Sequence, residues 1–426
     1  MVRTTNKRMG SRSAGNSRLA FAGQFAKQLR FSRLNDAIGN LGALLWSPVE
    51  RLLNNLTASA QRAEPATAAR RLFLVTLALL GLGFLVQVSH AATTHSAPEF
   101  QALLRSQAGF RLGALGVLMG AYWLGPQGLR RFLPHLVVLL GLSLVAVYLP
   151  PFSDLRNGSR RWLDLGLLGV PIKFQPSELA RVVIVLWVAD RCVRLGQGVE
   201  NFRRGVLPML AVVFSFFLLI LFEKDLGGSL LFLLCALSTI WVGGAKMRAV
   251  GSALLATFSI AACAAYRFVP YMRSRIDMFM GRVQNDQVSD TLDALSSGGL
   301  GGAGYGQGLF RNNGVPYLES DYVFALVGEE LGLLGMWLVL ALLVGFLWFS
   351  VRLVLSLRGG FSSLACFGLL LAVSLQAMLH VQVVSGLAPP KGMTLPFLSH
   401  GGTSLIVSAL AVGLALGAAK NTQENY

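Results

Sequence analysis

The sequence has little charge. Asp, Glu, Lys and Arg make up only 13% of its 426 residues, whereas soluble globular proteins carry about 25%. Hydrophobic residues make up 54%. So few charged side chains cannot cover a surface in contact with water, which excludes a water-soluble protein of one to three domains.

Acidic residues are scarcer than basic ones, with 20 Asp and Glu against 37 Lys and Arg and a formal net charge of +17. In a soluble chain, such an excess would indicate nucleic acid as a partner. In an apolar chain, it indicates anionic lipid headgroups, or the preference of Lys and Arg for cytoplasmic loops. No nucleic-acid partner is predicted.

Cysteine is rare, and no metal-ligand spacing is present. The four cysteines form no CxxC pair and fall in or beside apolar runs; they are Cys192, Cys235, Cys263 and Cys366. This pattern is typical of small buried hydrophobic residues rather than of a disulfide framework or a zinc site. The five histidines show no HExxH or similar spacing. The sequence therefore predicts no metal site.

Residues 1–71 form a basic segment with 12 Lys and Arg and three acids. Between residues 18 and 53, apolar residues recur at roughly helical spacing, which is typical of an amphipathic helix on a negatively charged membrane face. A disordered tail and an organellar transit peptide are the alternatives, the latter because the first acid is Asp36. No signal peptide is predicted, since the first long apolar run starts at Leu72.

From Leu72 onward, apolar segments long enough to cross the hydrocarbon core repeat along the chain. We predict ten spans: 72–89, 110–125, 132–149, 179–195, 206–222, 229–244, 249–269, 322–351, 363–384 and 403–419. The sequence therefore predicts an all-α polytopic integral membrane protein. Its membrane domain covers 72–419, and residues 420–426 form a short C-terminal tail.

The distribution of Lys and Arg predicts the orientation. Four short connections between spans hold ten cations, which places them in the cytoplasm together with the N-terminus. An even number of spans then places the C-terminus there too. The outer segments are longer and more varied; they are 90–109, 150–178, 223–228, 270–320 and 385–402. Any chemistry is expected at that face.

A glycine-rich stretch, residues 298–308, reads GGLGGAGYGQG and contains a GxGxxG pattern. That pattern binds dinucleotides only between a strand and a helix of a soluble βαβ unit. Here it lies in an outer segment between membrane spans. We interpret it as backbone that turns tightly or lies close to a ligand.

Asp321 is the acid with the most informative position, since it stands where the long outer segment becomes the eighth span. It can be the N-cap of that helix, or a general base at the mouth of a cavity. The outer cations, among them Arg160, Arg161, Lys173 and Lys391, can hold lipid headgroups or a phosphorylated lipid substrate. Glu178 stands three residues before Arg181, a spacing that favours an ion pair.

Four motifs recur together at the outer segments. They are NGSRRW at 157–162 with QPSE at 175–178, EKDLG at 223–227, DYVFALVGEELG at 321–332, and PKGMTLPFLSHGG at 390–402. In this order the sequence resembles the SEDS family (shape, elongation, division and sporulation), represented by FtsW and RodA, over about residues 72–419. The PKG before MTLP is closer to FtsW, which we favour, whereas WLDLG at 162–166 is closer to RodA.

The resemblance implies a peptidoglycan glycosyltransferase that polymerises lipid II outside the cytoplasmic (inner) membrane. It implies a class B penicillin-binding protein as partner, within the division or elongation machinery, and leaves a need for a divalent cation such as Mg²⁺ open. The essential acid of the family matches Asp321. The outer cations would hold the pyrophosphate. The matched substrate-binding residues are Arg160, Arg161, Lys391, Glu178, Lys173, Ser399, Gly401 and Gly402.

The sequence departs from the family pattern at Tyr317, Glu319, Lys224 and His400. All four flank the predicted site, so activity or dependence on the partner can differ from that of the family. Two other functions stay open: a lipid II flippase, which needs polar groups at mid-membrane and discontinuous helices, and a non-catalytic scaffold of the division or elongation machinery that uses the basic tail.

Overall fold

The computed structural model describes residues 64–94, 96–149, 153–156, 159–164, 173–268, 273–274, 277–278, 280, 286–312 and 317–423. Most of them form helices. The long ones are α1 (Pro65–Thr94), α2 (Ala97–Arg130), α3 (Leu133–Ala146), α4 (Pro176–Leu195), α5 (Leu207–Phe222), α6 (Leu226–Val242), α7 (Met247–Phe268), α10 (Val323–Ser356), α11 (Gly360–Val384) and α12 (Gly402–Gln423). Between α7 and α10 lie α8 (Asp286–Ser297) and α9 (Leu309–Asn312).

Each of the ten predicted spans coincides with one of the long helices, so the prediction of an all-α multi-pass membrane protein is confirmed. Five described segments are long and apolar enough to cross a membrane alone: Pro65–Ala92, Phe202–Phe222, Val323–Ser356, Gly360–Val384 and Gly402–Lys420. α2 and α3 meet this criterion together, and the chain bends by 103° at the break between them.

The predicted tail lies largely outside the described residues, including the predicted amphipathic helix at 18–53. Helix α1 starts at Pro65, before the predicted boundary at residue 72. A proline suits this first helical position, because its fixed φ fits a helix and its missing N–H would have no partner there.

Two sets of connections define the ends of the bundle. We name the outer end by residues 153–156, 159–164, 173–174, 223–225, 298–312, 317–322 and 385–402, and the inner end by residues 131–132, 196–206, 243–246 and 357–359. The outer end contains an element that the sequence did not predict, an antiparallel sheet of β1 (Ser153–Arg156), β2 (Ser159–Asp164) and β3 (Lys173–Phe174) in the order β1-β2-β3.

Helix α10 is broken at Gly332, where φ is 62° and ψ is −159°. The glycine loop, residues 298–308, supplies the backbone partners that the break removes. The N–H groups of Ala303 and Gly304 donate to the carbonyls of Glu329 and Glu330, at 2.9 and 3.2 Å. On the other side of the break, the N–H of Leu333 donates to Gly299 at 2.9 Å.

This contact explains why the loop is rich in glycine. A Cβ at residue 302 would lie 2.1 Å from the carbonyl oxygen of Glu330, and one at residue 298 would lie 2.0 Å from that of Gly328. Only glycine lets the two backbones approach so closely. The predicted tight turns are present, with positive φ at Gly299, Gly302, Gly304 and Gly306, and the backbone that the loop approaches closely is that of the broken helix.

Candidate active site

Asp321 lies in a turn that precedes α10. The N–H groups of Ser320 and Asp321 donate to the carbonyl of Tyr317, at 3.1 and 2.9 Å. The N-cap of α10 is Tyr322, and no side-chain hydrogen bond caps the helix. The interpretation of Asp321 as the N-cap of α10 is therefore wrong, and Asp321 lies half-buried in the preceding turn.

The 385–402 loop is bound to this turn by Ser399 and His400. The hydroxyl of Ser399 donates to the carbonyl of Ser320 at 2.6 Å and accepts the N–H of Leu395 at 2.8 Å. The N–H of His400 donates to the carbonyl of Glu319 at 3.0 Å. Ser399, predicted to bind substrate, therefore joins the loop to the residue immediately before Asp321.

Gly392 in the same loop lies against the carboxylate of Asp321. A Cβ at this position would lie 2.6 Å from Oδ2 of Asp321. The next residue back along the chain is Lys391, so one loop carries a predicted cation next to the glycine that contacts the predicted base.

The ammonium group of Lys391 lies over the start of α6. A Cβ at Gly227 would overlap Cε and Nζ of Lys391. Asp225 caps the same helix by accepting the N–H of Gly228 at 2.8 Å. Burial lowers the pKa of Lys391 from 10.5 to about 8; Asp225 and Glu178 oppose this shift, and Arg181 and Arg161 add to it.

Arg161 lies close enough to that cation to act on its pKa, and Arg161 in turn contacts Glu223. The guanidinium of Arg161 donates to the carbonyls of Glu223 and Lys224, at 3.2 and 2.7 Å, and so holds the end of α5. The Glu223 side chain is buried, with both carboxylate oxygens lacking a hydrogen-bond partner within 3.5 Å among the described residues. Burial, with Asp225, raises the pKa of Glu223 to about 9, while nearby Ser177 and Arg161 oppose the shift.

Glu178 forms an ion pair with Arg181, as their spacing predicts. Arg181 also donates to the side chain of Gln376 at 2.7 Å. The amide of Gln376 in turn donates to the hydroxyls of Thr394 and Ser404, at 3.0 and 3.1 Å. A buried polar chain thus connects α4 and α11 with the 385–402 loop and α12.

The other predicted binding residues have mainly local contacts. Arg160 donates to the carbonyl of Tyr148 at 3.1 Å, at the end of α3. The side chain of Lys173 is exposed, and its carbonyl accepts the hydroxyl of Thr403 at 3.2 Å. Gly401 leaves room for the side chain of Thr394, since a Cβ at residue 401 would lie 3.0 Å from it. Gly402 likewise leaves room for the ring of Phe110, which a Cβ at residue 402 would approach to 2.7 Å.

The first two helices add a polar group that the sequence did not predict. Gln87 donates to the carbonyl of Glu319 at 2.8 Å, and Nε2 of His90 lies 3.6 Å from its carboxylate. On α2, Gln107 bonds to His400 and accepts from Arg111 at 2.5 Å. Burial lowers the pKa of His400, with Arg111 acting in the same direction and Glu319 against it.

Backbone strain is concentrated around these groups. Among the described non-glycine residues, three have positive φ: Lys224 at 61°, Tyr317 at 61° and Phe397 at 69°. Each such conformation costs about 1–3 kcal/mol and is retained where the surrounding structure enforces it, often at functional sites. Lys224 and Tyr317 are also two positions at which the sequence departs from the family pattern.

No group of three or more metal-ligating His, Cys, Asp or Glu side chains occurs in the part of the chain that the structure describes.

The structure brings five of the predicted site residues to the outer end, around the 385–402 loop. They are Asp321, Lys391, Arg161, Glu178 and Ser399. Arg160 and Lys173 lie at the sheet beside them.

Comparison with known proteins identifies relatives over most of the chain. The family model FTSW_RODA_SPOVE, described as cell cycle protein, matches residues 70–424. Stage V sporulation protein E of Bacillus subtilis is 30% identical over 359 residues, which are 81% of this chain and 95% of that protein. A protein of Nitrosomonas europaea, named probable peptidoglycan glycosyltransferase FtsW, is 32% identical over 376 residues, 84% of this chain and 95% of its own length.

The fold also matches a solved chain described under "Structural coordination of polymerization and crosslinking by a peptidoglycan synthase complex". The TM-score is 0.68 at 25% identity, and the match covers 82% of this chain and 97% of that chain.

Proposed function

Because the chain belongs to the FTSW_RODA_SPOVE family of cell cycle proteins, we propose that it is a peptidoglycan glycosyltransferase that polymerises lipid II. The observation that carries this proposal is the placement of Asp321 beside Gly392, one residue from Lys391, at the outer end of the bundle. A carboxylate that can accept a proton and a cation that can hold a phosphate thus share one site.

In the proposed reaction, the carboxylate of Asp321 accepts the proton of the acceptor sugar hydroxyl. The hydroxyl oxygen attacks the anomeric carbon of the donor, and the bond from that carbon to undecaprenyl pyrophosphate breaks. Inversion at the carbon gives a β-1,4 linkage. A positioned general base contributes about 10²–10⁴-fold to the rate of such a step.

Lys391 is the cation best placed to hold the leaving pyrophosphate. It lies at the start of α6, where the helix N-terminus also favours an anion. Arg161 lies close enough to influence its charge. Both guanidinium groups predicted for this role, those of Arg160 and Arg161, already bond to backbone carbonyls, so we assign them first to holding the ends of α3 and α5.

We further propose that both termini lie in the cytoplasm and that the outer end faces away from it. The charge pattern supports this, because the tail, the short inner connections and Lys420 together hold 23 of the 37 Lys and Arg residues. The proposed partner is a class B penicillin-binding protein, since the solved relative belongs to a complex that couples polymerisation with crosslinking. A role in division follows the FtsW-named relative.

The test is glycan synthesis by the purified chain with its penicillin-binding partner and lipid II. Wild-type protein should give a ladder of glycan strands, and Asp321→Asn should lower turnover at least about 100-fold. Asp293→Asn is the matched control, because Asp293 is an exposed acid on α8, in the same outer segment. A ladder that survives Asp321→Asn unchanged would end the general-base proposal.

The flippase is the second candidate, because α10 is discontinuous at Gly332 and carries two buried acids, Glu329 and Glu330, just before the break. Those features suit a transport path. Against it, Glu329 accepts the N–H of Phe310 at 2.7 Å, Glu330 accepts the hydroxyl of Ser89 at 2.6 Å, and the glycine loop fills the break. Lipid II transport in vesicles without any ladder would favour the flippase; neither activity would favour the scaffold.

A further inference from the structure

A pocket outside the candidate active site lies near the inner end, between the first turns of α1, the second half of α2 and the last turns of α12. Its volume is about 320 Å³. Apolar side chains form its wall, among them Phe73, Leu118, Met119 and Leu416, and two cations, Arg70 and Lys420, complete the lining.

The pocket is far from Asp321. On α1, Phe73 lies fourteen residues before Gln87, whose side chain reaches the turn of the candidate active site. At 1.5 Å per helical residue, this separation is about 21 Å. No step of the proposed reaction uses the pocket.

Close helix packing gives this pocket a fixed shape. α12 lies directly on α2, because a Cβ at Gly413 would be 2.3 Å from the carbonyl oxygen of Leu118 and one at Gly417 would be 2.5 Å from that of Tyr122. Small side chains at Ala66, Ala69 and Ala419 then leave the adjoining space open. The cavity is therefore part of the fold.

The charge of the pocket has one sign. Its ten lining residues include Arg70 and Lys420 and no acid. The side chain of Arg70 is exposed, and that of Lys420 is held with Nζ 4.4 Å from the ring centroid of Trp123. Two cations thus lie beside an apolar cavity within membrane-spanning helices, a combination that binds anionic lipid headgroups.

We propose that this pocket binds an anionic phospholipid of the adjacent leaflet. The phosphate lies between Arg70 and Lys420, and acyl chain packs against Phe73, Leu118 and Leu416. The segment before α1 is a poor occupant, because residues 1–63 carry ten Lys and Arg and two acids, the same sign as the pocket.

The test is native mass spectrometry of the full chain in neutral detergent, titrated with phosphatidylglycerol or with phosphatidylcholine of the same acyl chains. Wild-type protein should bind phosphatidylglycerol more tightly. Arg70→Gln and Lys420→Gln should each weaken that binding about fivefold, and the double variant about 25-fold. Phosphatidylcholine binding should change little.

Two further variants separate pocket binding from attraction to a basic surface. Arg71→Gln removes an exposed neighbouring cation that lies over the ring of Phe349 and does not line the pocket, so it should leave affinity unchanged. Ala66→Trp fills the cavity without changing charge and should abolish tight binding. Equal affinity for the two lipids, a preference that survives the double variant, or an equal loss in Arg71→Gln would each overturn the proposal. The assay needs no lipid II, so its failure is distinct from failure of the proposed reaction.

Discussion

The two ends of the bundle hold their charges in different ways. At the inner end, the Asp190 carboxylate bonds to Arg130 and Arg194, both at 2.6 Å, and the Arg194 side chain is 55% exposed. At the outer end, Glu223 is buried and Lys391 is partly buried, and burial shifts the pKa of each so that the neutral form is favoured. At the inner end, the buried Asp190 carboxylate is thus paired with two arginines. Both oxygens of the buried Glu223 carboxyl at the outer end lack a hydrogen-bond partner among the described residues, and such an unpaired desolvated group indicates chemistry.

The two ends also differ in the strain of their backbones. Turns at the inner end place glycine where φ is positive, at Gly196, Gly244 and Gly359. The described outer end forces Lys224, Tyr317 and Phe397 into that conformation. The outer end therefore retains a strain that the inner end avoids, and the strained residues flank Asp321 and Lys391.

Among the substitutions that test this difference between the two ends, Gly392→Ala should have the largest effect on turnover. In Gly392→Ala, the new methyl group would lie 2.6 Å from Oδ2 of Asp321, so the carboxylate must move. Because a displacement of about 1 Å can cost about 100-fold in rate, turnover of lipid II should fall about 100-fold while folding is retained. Gly301→Ala is the matched control, since a Cβ there meets nothing within 4 Å. Wild-type turnover in Gly392→Ala would contradict the placement of Asp321 in the site.

The difference between the ends also explains what the sequence could predict. The ten long helices were predictable, because a long apolar run is a local property of the chain. The position of Asp321 at the start of a span was predictable for the same reason. Its surroundings were not, since Ser399 reaches a carbonyl 79 positions away and Gln87 one 232 positions away. No local pattern contains such contacts.

The sheet β1-β2-β3 and the break in α10 were missed for a related reason. The strands are short, two to six residues, and carry no clear alternation of apolar and polar residues. Gly332 stands in an apolar helical run, where a single glycine is ordinarily tolerated. The glycine loop that completes the break was visible as a sequence, but its partner was not.

A change at the inner end should affect stability and leave turnover intact. Asp190→Asn removes two charge-assisted hydrogen bonds from a buried carboxylate, which should lower the free energy of unfolding by about 2 kcal/mol. Thermal unfolding in detergent and the glycan assay measure the two properties. Glu200→Gln is the control, because its pair with Lys246 is 4.0 Å long and both side chains are more than half exposed. If Asp190→Asn lost turnover while its stability stayed unchanged, the inner end would take part in the reaction, contrary to this prediction.

The smallest predicted effect on turnover comes from the loss of the proton on Lys391 as the pH rises. Its pKa in the folded protein is about 8, so the ammonium form that would hold pyrophosphate is complete below pH 7 and is lost as the pH rises through 8. Turnover should therefore decline above pH 8, by about tenfold per pH unit. Lys391→Arg should move this decline above pH 10, because a guanidinium stays charged.

Glu223 is the group that could imitate this profile, because its pKa is about 9 and its ionisation would add a negative charge beside Asp225 and Arg161, two groups that act on Lys391. In Glu223→Gln that ionisation is absent. If Lys391 causes the decline, the decline should stay near pH 8 in Glu223→Gln and disappear only in Lys391→Arg. If the decline disappears in Glu223→Gln and persists in Lys391→Arg, the buried carboxyl controls the site, and Lys391 does not act through its charge.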